Sequence, residues 1–176
     1  MTEFVYKLNA PPITDILLES VAEKLFVGGD LSYHRSYNNL TKLIKPEYLS
    51  WKNYNWNFIN LFYKTKGIPG WIHIDGYGGW GVNWIHGGHG RMEYWLPENV
   101  EIMPPEVDDI GGQIVKCKTS ASPDKIYVMT PGAYLINAWV PHRAAGFNNR
   151  HALSLRATKD TSTWEEVVNN FTDLIL

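Results

Sequence analysis

From Asn57 to Ala157 the chain breaks into short runs rich in β-branched and aromatic residues. Each run is closed by Gly, Pro, Asn or Asp. That texture reads as antiparallel β structure. The strands are predicted at Asn57–Tyr63, Trp71–Ile74, Gly81–Ile85, Met92–Leu96, Gln113–Lys118, Lys125–Met129, Tyr134–Trp139 and Arg150–Ala157. Short strands joined by tight turns predict a sandwich, jelly roll or barrel.

Helical periodicity is confined to the flanks. Ile13, Ile16, Leu17, Val21 and Leu25 form one stripe, which predicts a helix from about Thr14 to Phe26. Pro11 and Pro12 precede it, Thr14 or Asp15 can cap it, and Gly28-Gly29 stops it. Shorter turns are predicted over Asn39–Ile44 and Pro46–Trp51. Near the C-terminus, Thr163 followed three residues later by Glu166 is a capping-box spacing, predicting a helix to about Leu174. The expected order is helix, strands, helix.

Length and composition narrow the function classes. A chain of 176 residues with 44% apolar residues predicts a single folded domain over 1–176, its β core at about 57–157. Sixteen basic and eighteen acidic residues give a net charge of −2, with no Lys/Arg block. That balance argues against a dedicated nucleic-acid or anionic-membrane surface. No apolar run reaches the ~18 residues of a membrane span. Met1–Ala10 carries Glu3 and Lys7 and lacks the apolar stretch of a secretory signal. Cys117 is the sole cysteine, so no internal disulfide forms, and a reducing, cytoplasmic interior is expected. The sequence leaves the oligomeric state open.

Polar residues within the strands carry the chemistry. In Trp71-Ile72-His73-Ile74-Asp75, alternation puts His73 and Asp75 on one face and the two isoleucines on the other. Such a pair at a strand end can converge on a metal ion. His142 is the candidate third ligand, presented by Pro141 after the apolar run that follows Pro131-Gly132. In Arg150–Arg156, Leu153 and Leu155 share one face, while Arg150, Ala152, Ser154 and Arg156 share the other. Two arginines and a serine on one strand face suit the gripping of a carboxylate. Two His and one carboxylate form the facial triad of non-haem Fe(II) oxygenases.

This order of elements, His73-x-Asp75, then His142, then a basic residue on the next strand, resembles the Fe(II)- and 2-oxoglutarate-dependent oxygenase family. Gly81-Val82-Asn83-Trp84-Ile85 and Met92-Glu93-Tyr94-Trp95 are similar to the small members encoded by phages of marine bacteria. The resemblance covers about Asn57 to Ala157. It implies a mainly β fold, a double-stranded β-helix (jelly roll) with flanking N- and C-terminal helices. It also implies Fe(II), 2-oxoglutarate as cosubstrate and molecular oxygen, with decarboxylation to succinate coupled to hydroxylation of a small-molecule or peptidyl substrate such as a prolyl ring. His73, Asp75 and His142 match the metal ligands. Arg150 matches the anchor of the far carboxylate of 2-oxoglutarate, with Arg156 as competitor and Ser154 between them. Arg150 is preferred because it opens the strand expected nearest His142. Asp75 at the carboxylate position favours hydroxylation over halogenation. A phage origin would place the protein in the host cytoplasm.

Asn83 and Tyr63 are further candidates for hydrogen bonds to the cosubstrate. His86 and His89 bracket a Gly-Gly turn and are weighed as substrate contacts or a rival metal pair. Met92, Tyr94 and the tryptophans 71, 80, 84 and 139 read mainly as packing, with Trp80 as a candidate for an aromatic rim. Two other functions fit a jelly roll. A cupin-like metal enzyme ordinarily brings His-x-His and Glu, which His73-x-Asp75 disfavours. A carbohydrate-binding protein leaves Asp75, His142 and Arg150 unexplained.

Overall fold

The computed structural model describes residues 3–21, 33–37, 39–64, 69–76, 79–107, 113–148 and 150–176. Its strands are β1 (Val5–Leu8), β2 (Tyr33–Tyr37), β3 (Phe58–Lys64), β4 (Ile72–Asp75), β5 (Trp80–His86), β6 (His89–Tyr94), β7 (Glu101–Ile102), β8 (Glu106–Val107), β9 (Gln113–Lys118), β10 (Lys125–Met129), β11 (Gly132–Asn137), β12 (His142–Asn148) and β13 (Arg150–Arg156). Helix α1 spans Ile13–Ile16 and helix α2 spans Trp164–Phe171. The strands form two antiparallel sheets. The first runs β1-β11-β5-β13-β3-β2, and the second β10-β6-β12-β4-β9-β7, with β8 pairing β9. No helix among the described residues is long and apolar enough to cross a membrane.

The first sheet is buried on both faces. Its outer face presents Ile59, Leu61, Val82, Trp84, Leu135, Leu153 and Leu155 to a layer containing Ile13, Ile16, Leu17, Ile44, Trp56, Val167 and Phe171. Its inner face packs Ile85, Tyr134, Ile136 and Ala152 against Met92, Tyr94 and Met129 of the second sheet. Along β13 the leucines therefore point outward. The polar set Arg150, Ser154 and Arg156 is buried as well, on the alternate face that carries Ala152.

The N-terminal helix expectation is corrected. Helix α1 ends after Ile16, because Leu17 turns extended (ψ 151°) and bridges to Ile44. Leu18 N–H donates to Leu43 O and Lys45 N–H to Ile16 O, so the backbone pairs across to a second segment and the helix is interrupted at Leu17 and Leu18, helical conformation returning at residues 19–21 as expected. The rest of that prediction, from residue 22 to Phe26 and the Gly28-Gly29 stop, lies outside the described residues. The chain also opens with a strand, β1, which pairs with β11. At the C-terminus the Thr163–Glu166 capping box is present in both directions. The β5–β6 hairpin is tighter than expected. Gly87 and Gly88 both take positive φ (65° and 61°), so β6 starts at His89 rather than Met92. The segment after Pro141, expected only to present His142, is a full strand, β12.

Candidate metal centre

His73 and Asp75 sit on β4, and His142 opens β12 between β4 and β6, opposite His73 on one side and Tyr94 on the other. Asn137 ends β11 by accepting the Trp139 N–H on its side-chain oxygen, 3.0 Å away, and Trp95 N–H donates to Pro141 O at 2.9 Å. These bonds fix the loop that delivers His142. The ligand atoms of His73, Asp75 and His142 lie within 4.8 Å of one another. His73 Nε2 is 3.3 Å from Asp75 Oδ1, and the two imidazole centroids are 4.5 Å apart.

Both imidazoles are oriented by the backbone. His73 Nδ1 is 2.8 Å from Trp71 O, and His142 Nδ1 is 2.9 Å from Val140 O. A carbonyl only accepts, so each Nδ1 carries a proton and each Nε2 is left facing the space shared with Asp75. Burial, reinforced by the neighbouring His73, pushes His142 down to about 4, so it is neutral and ligand-ready near pH 7. Burial also acts to lower His73, but the hydrogen bond and charge of Asp75 outweigh it and raise the group. Burial pushes the Asp75 carboxyl up, and the Arg156 charge with the His73 hydrogen bond holds it well below the usual carboxylate range. The donor set, two imidazoles and one ionised carboxylate with no thiolate, suits a divalent transition metal, whose binding would displace any proton from His73 Nε2.

Arg156, not Arg150, lies at this end of the sandwich. Its Nη2 is 3.0 Å from Asp75 Oδ2, and its Nε donates to Ser154 Oγ at 2.9 Å. Gly81 on β5 makes room: a Cβ there would stand 2.5 Å from Arg156 Cδ. The expectation that Arg150 opens the strand nearest His142 is thus overturned. Strand β12 leaves the metal end at His142 and runs away from it, so β13 begins at the far end and returns with Arg156. The six-residue step from Arg150 to Arg156 spans ~20 Å of strand. Arg150 is 4% exposed, and burial pulls it down to about 10. Arg156 is buried too.

Between the arginines, Ser154 pairs with Asn83 of β5 and Asn60 of β3, and Tyr134 pairs with Asn83. Asn83 Oδ1 is buried and has no hydrogen-bond partner among the described residues. Tyr63 pairs with His151 and Tyr33, and its side chain lies outside the described residues. His86 pairs with His151, next to Arg150 and far from the triad. Among the described residues no metal-ligand group of three includes His86 or His89, so they do not form the rival site with His73.

Sequence alone reads Tyr94 as packing; its position says more. Its ring stacks on His142 at 5.6 Å, while its buried hydroxyl has no hydrogen-bond partner among the described residues. Burial raises its pKa further above the ordinary tyrosine value. Its alternation with Met92, which puts it on the inner face, was the available signal. Trp80 is fully buried among Tyr54, Trp56 and Phe171, so it forms no rim. Of the tryptophans, Trp71 is 74% accessible, two residues before His73, and Trp139 is 40% accessible. Lys116, opposite His73, lies 5.3 Å from the Trp71 ring centroid.

No family profile matches the chain. No curated protein matches it either. Among solved structures, it is similar to the X-ray structure of E. coli ycfD, at 15% identity and a TM-score of 0.39 over 67% of this chain. The match spans 29% of the ycfD chain.

Proposed function

We propose that this chain is a non-haem Fe(II) oxygenase. It would couple oxidative decarboxylation of 2-oxoglutarate to hydroxylation of a small-molecule or peptidyl substrate, a prolyl ring among them. The observation that carries this is the convergence of one ligand atom each from His73, Asp75 and His142 within 4.8 Å, with both Nδ1 atoms fixed by carbonyls. Three protein ligands leave positions for cosubstrate and oxygen, as this ligand set requires. Bound iron would supply activation of oxygen.

The winding of the chain supports a double-stranded β-helix. From β3 onward, β3, β5, β11 and β13 go to the first sheet and β4, β6 and β12 to the second, which also takes the consecutive run β7 to β10, all antiparallel.

The chain's own residues divide the remaining work. Arg156 holds Asp75 ionised and ties down its second oxygen, so Asp75 offers Oδ1. Because Arg156 is committed to Asp75 and Ser154, the far carboxylate of 2-oxoglutarate is assigned to Arg150, on the same buried face of β13. Ser154, Asn83 and the Tyr94 hydroxyl line the way between them as hydrogen-bonding groups. The accessible ring of Trp71 marks the side from which a substrate meets the metal.

Anaerobic addition of Fe(II) and 2-oxoglutarate tests the proposal. A visible charge-transfer band is expected with the unsubstituted protein and is lost in His73→Ala and His142→Ala, both of which stay folded by circular dichroism. A substrate panel read by succinate release follows. Absence of the band, or its persistence in both histidine variants, refutes the assignment.

A further inference from the structure

On the outer face of the second sheet, away from the metal, a carboxylate is buried between two arginines. Glu93 is 1% exposed, and its two oxygens accept from Arg91 Nε and Arg143 Nε, each at 2.5 Å. Arg143 lies directly across from Glu93 on β12, and Arg91 precedes it by two residues on β6, so all three share one face. The Arg143 guanidinium also lies over the Trp95 ring at 5.1 Å, and Trp95 is fixed in turn by donating its Nε1–H to Ala121 O.

One arginine is enough to neutralise Glu93. The second leaves the cluster with a net positive charge in a chain whose total is −2. Each guanidinium spends only its Nε on Glu93. Among the described residues no other hydrogen bond or ion pair reaches either group. The side chains of Arg91 and Arg143 remain 48% and 29% exposed, so their terminal nitrogens can meet solvent. A carboxylate shared by both holds the two forks within reach of one tetrahedral anion. A planar guanidinium fork matches phosphate oxygens two at a time. Side chains already held in place also lose less freedom when a ligand arrives.

We propose that Arg91 and Arg143, braced by Glu93 and Trp95, form a surface site for a phosphate group, separate from the metal centre. The site is independent of the oxygenase assignment.

Titration of the metal-free protein with inorganic phosphate, followed by calorimetry and by the arginine Nε–H resonances of ¹⁵N-labelled protein, tests it. Saturable binding of one equivalent is expected, with shifts at Arg91 and Arg143. Affinity should fall at least tenfold in Arg91→Gln and in Arg143→Gln, and remain unchanged in Arg150→Ala. Should a glutamine variant fail to fold, Arg91→Lys and Arg143→Lys keep the charge and still should lose at least fivefold, because the fork is gone. Glycerol 3-phosphate is titrated in parallel: tighter binding than the free ion identifies an esterified phosphate as the ligand, and weaker binding identifies the ion itself. Lack of saturable phosphate binding, acetate binding as tightly as phosphate, or affinity indifferent to both arginines would overturn the proposal.

Discussion

Asp75 is shared between two partners, one per oxygen: His73 Nε2 lies 3.3 Å from Oδ1, and Arg156 Nη2 lies 3.0 Å from Oδ2. An ionised carboxylate held this way can turn only Oδ1 toward a metal while Arg156 stays in place. The metal site therefore depends on a residue that is not itself a ligand, and on the glycine that lets it through.

Gly81→Ala tests that dependence. The added methyl would meet Arg156 Cδ at 2.5 Å and Leu155 O at 2.8 Å, and the backbone oxygen has no room to retreat. A cost of ~1–3 kcal/mol in stability is expected for such overpacking. Displacing Arg156 should also weaken Co(II) binding, read from its visible spectrum, by about tenfold, the size of a disturbed supporting contact. Unchanged Co(II) affinity would separate Arg156 from the site.

The two arginines should fail differently. Losing one partner of a buried guanidinium–carboxylate pair costs ~3–5 kcal/mol, so Arg150→Ala should raise the 2-oxoglutarate requirement by two or more orders of magnitude with iron binding nearly intact. Arg156→Ala should weaken iron itself, because Asp75 loses its counter-charge. Anaerobic titrations of each variant, first with metal and then with 2-oxoglutarate, give both numbers. A large 2-oxoglutarate defect confined to Arg156→Ala would move the anchor there.

Tyr94→Phe distinguishes packing from ligand binding. The hydroxyl is buried without a partner among the described residues, so removing it should leave the free protein equally or more stable by thermal denaturation. A role toward the cosubstrate predicts a severalfold loss of 2-oxoglutarate affinity in the same variant. Equal affinity assigns Tyr94 to the core alone.

Glu93 makes stability depend on acid. Burial acts to raise its pKa, but its hydrogen bonds and ion pairs with Arg143 and Arg91 bring it below the ordinary value. A group lowered on folding stabilises the protein above its unfolded pKa, ~4.3 for Glu, and that contribution fades as pH falls through the folded value. The urea midpoint of the unsubstituted protein should thus fall more steeply than that of Glu93→Gln from pH 5 toward pH 3. Parallel curves would show that Glu93 titrates alike in both states.

Much of the candidate centre was legible because it rests on strand alternation. The isoleucines of β4 assigned His73 and Asp75 to one face, and the leucines of β13 did the same for Arg150, Ser154 and Arg156. What sequence left hidden was direction. His142-Arg-Ala-Ala-Gly-Phe-Asn carries small residues and a positive-φ glycine, Gly146 at 64°, with no apolar alternation to mark it as β12. Without that strand, Arg150 looked adjacent to His142 when the chain in fact travels away and comes back. The helix predicted from Thr14 met a similar limit. Its stripe is genuine, and Ile13, Ile16 and Leu17 are buried, but pairing with the Leu43–Lys45 segment interrupts the helix at Leu17 and Leu18 before residues 19–21 turn helical again.

The sheet that carries the ligands is joined at one seam. Strands β10, β6 and β12 lie on one side and β4, β9, β7 and β8 on the other, and among the described residues β12 meets β4 in register only at His142 and His73, flanked by bonds from Gly70 N–H to Ala144 O and from Asp75 N–H to Ala138 O. An ion gripped by these two histidines would sit across that join like a rivet. Its affinity would then be felt as cohesion of the sheet, and removing it should loosen the amides of β4 to hydrogen exchange well before the doubly covered first sheet responds.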